Sequence, residues 1–477
     1  MISVYIREQK RYTQPELCNL LAMDANEIVP VLRRLKEYGV ARVVDASGPQ
    51  GDFADLSDES TEIADVIPGD TNYYYVFVFV GVVVIAGRVL KCYPRYLLHS
   101  SEPKEELKQV LKVIEKRNTR EQIIRMFNES DMDRSFNRLA VMLYLLDDYF
   151  ENGLYGSTEE IIENNGSGEI LWDRTINESF AIISGNRPYY MDLKTRKTRT
   201  NEYDYFRRLH ACVLTRASNE LKEADLLDLF DLEGVDLSDK DLEDFGETDY
   251  ILYRISKELN VQFNTRKQLV LKTMYAYIAH KGEMDDPEAL SLIGSNSFNL
   301  IWEDVCSDIL DNRLNASLGS LTLPSALKEG YNPKERLIDL IEKPFWSITG
   351  KYASDTLIPD LVTIKGDQFI IFDAKYYTAR LERGKSPQGQ PGIESITKQY
   401  LYQLAYQKFI SDHGFRNVRN CFLLPTEQDY VIDKGEVSMN ILFEQGLENI
   451  EVRLLPARLA YAYYLSGKKM NIDDLRL

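Results

Sequence analysis

Cysteine is scarce in this chain, and the few present are scattered. The 477 residues hold five: Cys18, Cys92, Cys212, Cys306 and Cys421. Their number is odd and none forms a CxxC pair, which argues against a zinc site or a disulfide framework and fits a reducing compartment. Long apolar runs are missing too. The most apolar stretch, Tyr73–Ala86, contains Gly81 and falls short of the ~20 residues a membrane helix needs. Its Val, Tyr and Phe content predicts paired buried strands. No basic-then-apolar leader opens the sequence, so the expected location is the cytoplasm, with no membrane contact. No phosphate loop of the GxxxxGK(S/T) type occurs, which excludes nucleotide hydrolysis by that route.

Positive charge is short as well. Lys and Arg number 57 against 75 Asp and Glu, for a net −18. The excess is local: residues 219–249 hold thirteen acids and two bases, a balance of −11. That segment reads first as a solvated helix-and-loop surface and second as a docking patch for a basic partner. The remaining body is modestly acidic. A basic face supplies most non-specific DNA affinity, so any grip on DNA by this chain alone is expected to be weak and to depend on a partner.

What is present is concentrated near the C-terminus. Pro359-Asp360 is followed, with twelve residues between the two aspartates, by Asp373-Ala374-Lys375. Leu361–Ile364 and Phe369–Lys375 read as short strands, and Lys365-Gly366-Asp367-Gln368 supplies the turn between them. Side chains alternate along a strand, so Asp373 and Lys375 project together. Asp360 opens the neighbouring antiparallel strand, where the hairpin brings it close. Two carboxylates suffice to hold Mg²⁺, which takes oxygen ligands and keeps several waters. Such an ion polarises a phosphoryl oxygen and generates hydroxide. A lysine beside it can orient the attacking water. An ordinary hairpin with an exposed Asp/Lys pair is the bland alternative.

The form PD…(D/E)xK resembles that of a large nuclease superfamily. Ile358–Tyr377 resembles, more narrowly, the nuclease subunits of LlaJI-type restriction systems, relatives of McrC. Four further segments carry the resemblance in order: Gly168–Asn177 (GEILWDRTIN), Arg187–Asp192 (RPYYMD), Arg207–Val213 (RRLHACV) and Phe298–Cys306 (FNLIWEDVC). It covers about residues 150–430. It implies a Mg²⁺-dependent (or Mn²⁺-dependent) DNA endonuclease subunit in antiphage defence. Double-stranded DNA would be its substrate, and a separate McrB-like AAA+ subunit would hydrolyse GTP or ATP. Asp360 and Asp373 would hold metal with help from the Ala374 carbonyl, and Lys375 would position the water. Glu303, at the family's WE position on the helix opening the nuclease domain, would complete the site; Glu342 is its rival. A double-strand break needs two active sites, so at least two copies are expected. Two other settings remain open: a stand-alone RecB-like repair nuclease, and a DNA-binding adaptor with an inert nuclease fold.

The expected fold is α+β and multidomain. Residues 1–100 form a winged-helix-like and small β module, 101–290 a mostly helical connector, and 291–477 a PD-(D/E)xK α/β nuclease domain. In the first, Thr13-Gln-Pro-Glu16 reads as a capping box and Asp24–Glu27 as a second helix start, ended by Gly39. Arg33, Arg34 and Lys36 are candidate phosphate contacts, although Pro30 interrupts that helix and favours a protein-binding role. Residues 46–70 read as a loop. Glu105–Glu115, Glu121–Phe127 and Phe136–Tyr149 carry helical spacing. Trp172 and Arg174 read as packing and an internal ion pair, and His210, one of four histidines, as structural. After Lys375, the Gly/Pro-rich stretch 384–392, with Lys385, reads as a DNA-contacting flap. The helix after it carries Lys398, Gln399, Tyr402 and Gln403. Lys398 is the expected DNA contact and Gln399 the expected site residue, with Gln403 its competitor.

Overall fold

The structure, a computed structural model, describes residues 1–45, 73–117, 137–156, 158–200, 204–280 and 290–477. The expected loop at 46–70 and the expected helix Glu121–Phe127 lie outside these residues. The chain is α+β, and its contacts group it into two units. One joins Met1–Ser135 to Asp285–Leu477, and the other is Phe136–Met284. Among the described residues no helix is long and apolar enough to cross a membrane.

The first unit begins with β1 (Ile2–Arg7), β2 (Arg11–Tyr12), two helices, β3 (Ala41–Asp45), β4 (Tyr73–Phe77), β5 (Val80–Ile85) and β6 (Arg88–Tyr93). The first helix, Gln14–Leu21, starts at the predicted capping box, where the Glu16 carboxylate accepts from Thr13 N at 2.7 Å. The second, Ala25–Glu37, runs unbroken through Pro30, contrary to the sequence expectation. Proline costs a helix interior about 3 kcal/mol. The stripe Ile28, Val31, Leu32 and Leu35 is at most 1% exposed, and each such side chain contributes roughly 1.5–3 kcal/mol, so burial wins. Gly39 then turns the chain with φ +67°. The apolar run Tyr73–Ala86 does form two buried strands, but they do not pair with each other. β4 joins β2 and β3 in one sheet, whereas β5 joins β6 and β1 in another.

The second unit packs the helices Arg138–Asn152, Tyr205–Glu223, Thr248–Val261 and Thr265–Ala279 around buried Leu145, Val213, Ile255 and Val270. Residues 158–200 add strands that helical spacing did not reveal: β7 (Thr158–Asn164), β8 (Glu169–Ile170), β9 (Ala181–Ser184), β10 (Arg187–Tyr190) and β11 (Lys194–Thr200). β11 is Lys/Thr/Arg throughout, and its cross-strand pairing with β7 supplies what its own composition lacks. The acidic segment is ordered through apolar anchors. Leu226, Leu229, Leu242 and Phe245 are buried among exposed carboxylates, as a solvated surface requires. Trp172 is 54% exposed, so it does not serve the packing role expected of it. Arg174 pairs with Glu178 at 3.8 Å.

The first unit resumes at β12 (Leu290–Ser295), which adds to the edge of β5 rather than to the sheet that follows it. Gly81 and Gly294 face each other there, and a Cβ on Gly81 would meet the Ile293 carbonyl at 2.1 Å. Only glycine permits so close an approach. The helix Phe298–Ile309 follows immediately, so this pairing ties its start to the N-terminal sheet. A small hairpin, β13 (Phe345–Trp346) with β14 (Lys351–Tyr352), precedes the main sheet of β15 (Leu361–Lys365), β16 (Gln368–Ala374), β17 (Asn417–Thr426), β18 (Ile432–Val437) and β19 (Ile450–Pro456). Its order is β15-β16-β17-β19-β18, with β16, β17 and β19 parallel. The helix Ile393–His413 supplies the crossover from β16 to β17 that parallel pairing needs. Its Tyr402, Tyr406 and Phe409 pack with Val362, Phe369 and Ile371 on one face of the sheet.

Candidate functional site

The site is built on the β15–β16 hairpin. Lys365 pairs with Gln368, leaving Gly366 and Asp367 as a two-residue turn. Gly366 has φ +60°, as the first position of a II′-type turn demands. This register sets Leu361 opposite Phe372 and so brings Asp360 beside the Asp373 end of β16. The Asp360 Oδ2 accepts a hydrogen bond from Ala374 N at 2.6 Å, and its carbonyl accepts from Asn312 Nδ2 at 3.3 Å. Asp373 is 3% exposed. Lys375 Nζ lies 3.0 Å from its Oδ2. The predicted trio therefore converges.

The charges there strain against one another. Burial, with Asp373 and Glu303 beside it, holds the Asp360 carboxyl well above the usual carboxylate range. Burial also pushes Glu303 up to about 7, Lys375 opposing and Asp373 adding to the rise. Burial alone would pull Lys375 down, but Asp373 and Asp360 outweigh it and its ammonium is held more firmly than usual. Three carboxylates thus share one lysine. The helix Phe298–Ile309 delivers Glu303 because its neighbour Trp302, about 100° round the helix, is fully buried and donates from Nε1 to the Leu423 carbonyl at 3.2 Å.

Glu342 is exposed, and its recorded hydrogen bond runs through its backbone carbonyl, from Thr356 Oγ1 at 2.6 Å. The carboxylates acting on Asp360 are Asp373 and Glu303. The two glutamines separate clearly. Gln399 is fully buried, donates to the Ile371 carbonyl on β16 at 2.8 Å, and leaves Oε1 without a partner. Gln403 is engaged elsewhere, accepting from Asn420 Nδ2 at 2.6 Å and from Glu448 N at 2.9 Å. Tyr402 was not singled out as a site residue. Burial first, then Asp373, Asp360 and Glu303, raise its hydroxyl, so it feels the same three carboxylates. The only sequence sign was its spacing of three from Gln399.

The expected DNA contacts are less concentrated. Lys398 pairs with Glu394 at 2.5 Å and Lys385 with Glu382 at 2.5 Å. Arg34 pairs with Glu37 at 3.1 Å, and Arg33 is exposed on the same helix. The stretch 384–392 turns back onto the segment before it, with Arg380 N donating to the Gln388 carbonyl at 2.8 Å. His210 is structural in geometry: its Nδ1 accepts from Tyr155 N at 2.9 Å, and burial pushes its pKa down to about 3.

Among the described residues no three His, Cys, Asp or Glu side chains form a ready-made metal cage. The donor chemistry nevertheless fits a hard divalent cation. Asp360 and Asp373 carry oxygen donors and surplus negative charge, and Mg²⁺ is commonly held by one or two carboxylates plus waters.

A family model described as LlaJI restriction endonuclease matches residues 79–452. The chain is similar to the type II restriction enzyme BsuMI component YdjA of Bacillus subtilis (strain 168). They are 25% identical over 453 residues, 92% of this chain and 90% of that protein. Among solved structures, it resembles a half-complex of Thermococcus gammatolerans McrB AAA+ hexamers with bound McrC. The TM-score is 0.38 at 11% identity, covering 98% of this chain and 99% of that one. It also resembles the Thermococcus gammatolerans McrBC complex, with TM-score 0.25 at 12% identity over 63% of this chain and 84% of that one. Both scores are too low to establish a shared fold.

Proposed function

Because this chain belongs to the LlaJI restriction endonuclease family, we propose that it is the DNA-cleaving subunit of a restriction system, hydrolysing phosphodiesters of foreign double-stranded DNA with Mg²⁺. The observation that carries the reading is the convergence of Asp360, Asp373 and Lys375 at the end of one hairpin. Asp360, Asp373 and the Ala374 carbonyl would hold the metal, with Glu303 beside them. Bound there, the ion polarises the phosphoryl oxygen and supplies hydroxide near neutral pH. Asp373 holds Lys375 charged and in place, where its ammonium can orient the attacking water. Gln399 braces β16 through the Ile371 carbonyl, which fixes the height of Asp373 relative to Asp360. Residues 291–477 serve as the PD-(D/E)xK nuclease domain in this reading, and 101–290 as the connector.

The relative from Bacillus subtilis is named as a component of a restriction enzyme. This chain, which has no phosphate loop of its own, accordingly works beside an AAA+ subunit that hydrolyses GTP or ATP, in a cytoplasmic assembly holding at least two copies. The test is cleavage of unmodified plasmid by wild type and Asp373→Ala, with and without the neighbouring AAA+ protein and nucleotide. Cleavage by wild type only with partner and nucleotide supports the proposal. Cleavage by the chain alone would indicate a repair nuclease, and equal products from both proteins would displace the site.

A further inference from the structure

A cavity of about 200 Å³ opens beside the carboxylates, within the first compact unit. Glu303, Lys375 and Asn299 line one side of it, and Glu8, Arg42 and Arg95 of the N-terminal strands and their flanks line the other. Two of the latter are committed to each other. Glu8 is 4% exposed; its Oε2 accepts from Tyr376 Oη at 2.6 Å and from Arg95 N at 3.2 Å. The Arg95 guanidinium lies 3.5 Å from the other Glu8 oxygen and 4.3 Å from the Tyr376 ring centroid. This network ties the residue after Lys375 to the N-terminal strands and neutralises Glu8.

Arg42 is different. It sits on β3, is exposed, and has no ion pair among the described residues. Its cavity holds three cations, Arg42, Arg95 and Lys375, against Glu8 and Glu303. Glu8 and Arg95 offset each other and Lys375 is held by Asp373, which leaves Arg42 as the cation of this cavity with no carboxylate partner among the described residues. A guanidinium presents a planar fork that matches phosphate geometry. The contrast with Arg34, Lys385 and Lys398 is direct, since each of those already has a carboxylate within 3.1 Å.

We infer that Arg42 binds a backbone phosphate of the DNA strand being cut, so that the N-terminal β module forms one wall of the nuclease site. The inference rests on the nuclease reading above, and its test separates the two. Affinity for a defined duplex is measured against salt concentration for full-length Asp373→Asn, and for the same protein with Arg42→Ala, Arg42→Lys or Arg33→Ala added. Each phosphate contact contributes about 0.9 to the slope of log K against log salt. Arg42→Ala should lower that slope by about 1 and weaken binding about 10-fold at low salt, in line with one lost phosphate contact. Arg42→Lys should retain the slope, and Arg33→Ala should leave it unchanged. An unchanged slope with Arg42→Ala would overturn the inference. So would loss of slope with Arg33→Ala instead, which would lay DNA along the outer helix, or failure of Asp373→Asn to bind duplex at the lowest salt. Failure of the nuclease reading appears separately, as no Asp373-dependent cleavage in the plasmid assay.

Discussion

In the unit Phe136–Met284, two inward-facing carboxylates each have their own cation. Asp148, 6% exposed, holds Arg266 at 2.7 Å, and Glu220 holds Arg138 at 2.8 Å. In the other unit, Asp360, Asp373 and Glu303 gather around Lys375 alone. A one-to-one pair in a low-dielectric setting is a structural solution, in which each charge offsets the desolvation of the other. Three carboxylates with one lysine is not. Burial, and with it the unmatched charge, raises two of them above their ordinary values, and the crowding marks where a cation would be drawn in.

The largest test of that contrast is Asp373→Ala. If Asp373 holds the metal as proposed, its removal forfeits several kcal/mol of transition-state stabilisation, so cleavage should fall about 1,000-fold or more. The melting temperature should hold or rise, because a repulsive charge has gone; a large fall in melting temperature would place Asp373 with the structural pairs instead. Asp148→Ala should do the opposite. It strands Arg266 and should cost about 3 kcal/mol of unfolding free energy in denaturant titration, with cleavage per folded molecule unchanged. Comparable stability in the variant would remove the distinction between the units.

His210 sharpens the same point for a neutral group. Its folded pKa of about 3 lies below the ordinary 6.5, so below pH 6.5 the unfolded chain takes up a proton that the folded chain refuses. Stability is therefore full above pH 6.5 and falls as pH drops towards 3, at about 1.4 kcal/mol per unit, or about 2 kcal/mol by pH 5. Thermal unfolding at pH 7 and pH 5 should show this loss in wild type and not in His210→Asn. The smallest effect is the metal's. At ten times its dissociation constant, Mg²⁺ should stabilise wild type by about 1.4 kcal/mol. A thermal-shift titration should detect this in wild type and find no response in Asp373→Ala.

Legibility followed the range of the interaction. Alternation along β16 put Asp373 and Lys375 together, and the turn at Gly366 set the register that adds Asp360. The Thr13 capping box and the Gly39 stop were equally local. Pro30 was misjudged because the burial that outweighs it comes from the strands packed on that helix. The strands from 158 to 200 were missed because β11 has no apolar alternation and is held by its partners. Trp172 looked like core and is exposed, a property of surface context that its own identity does not encode. Gln399 and Gln403 looked equivalent until β16 and Asn420 claimed one each.

By itself, the sequence determined the scattered cysteines without a CxxC pair, the lack of a phosphate loop, the hairpin that joins Asp360, Asp373 and Lys375, and the acidic surface of residues 219–249. Each depends on composition or on residues within a turn or strand of one another, where covalent geometry fixes which side chains can meet. Tertiary structure alone decided that Glu303 reaches the hairpin, that Gly81 and Gly294 lock β12 to the N-terminal sheet, and that Arg42 opens onto the same cavity as Lys375. Those contacts join residues from 57 to 333 positions apart, and only the burial of shared apolar surface brings them together.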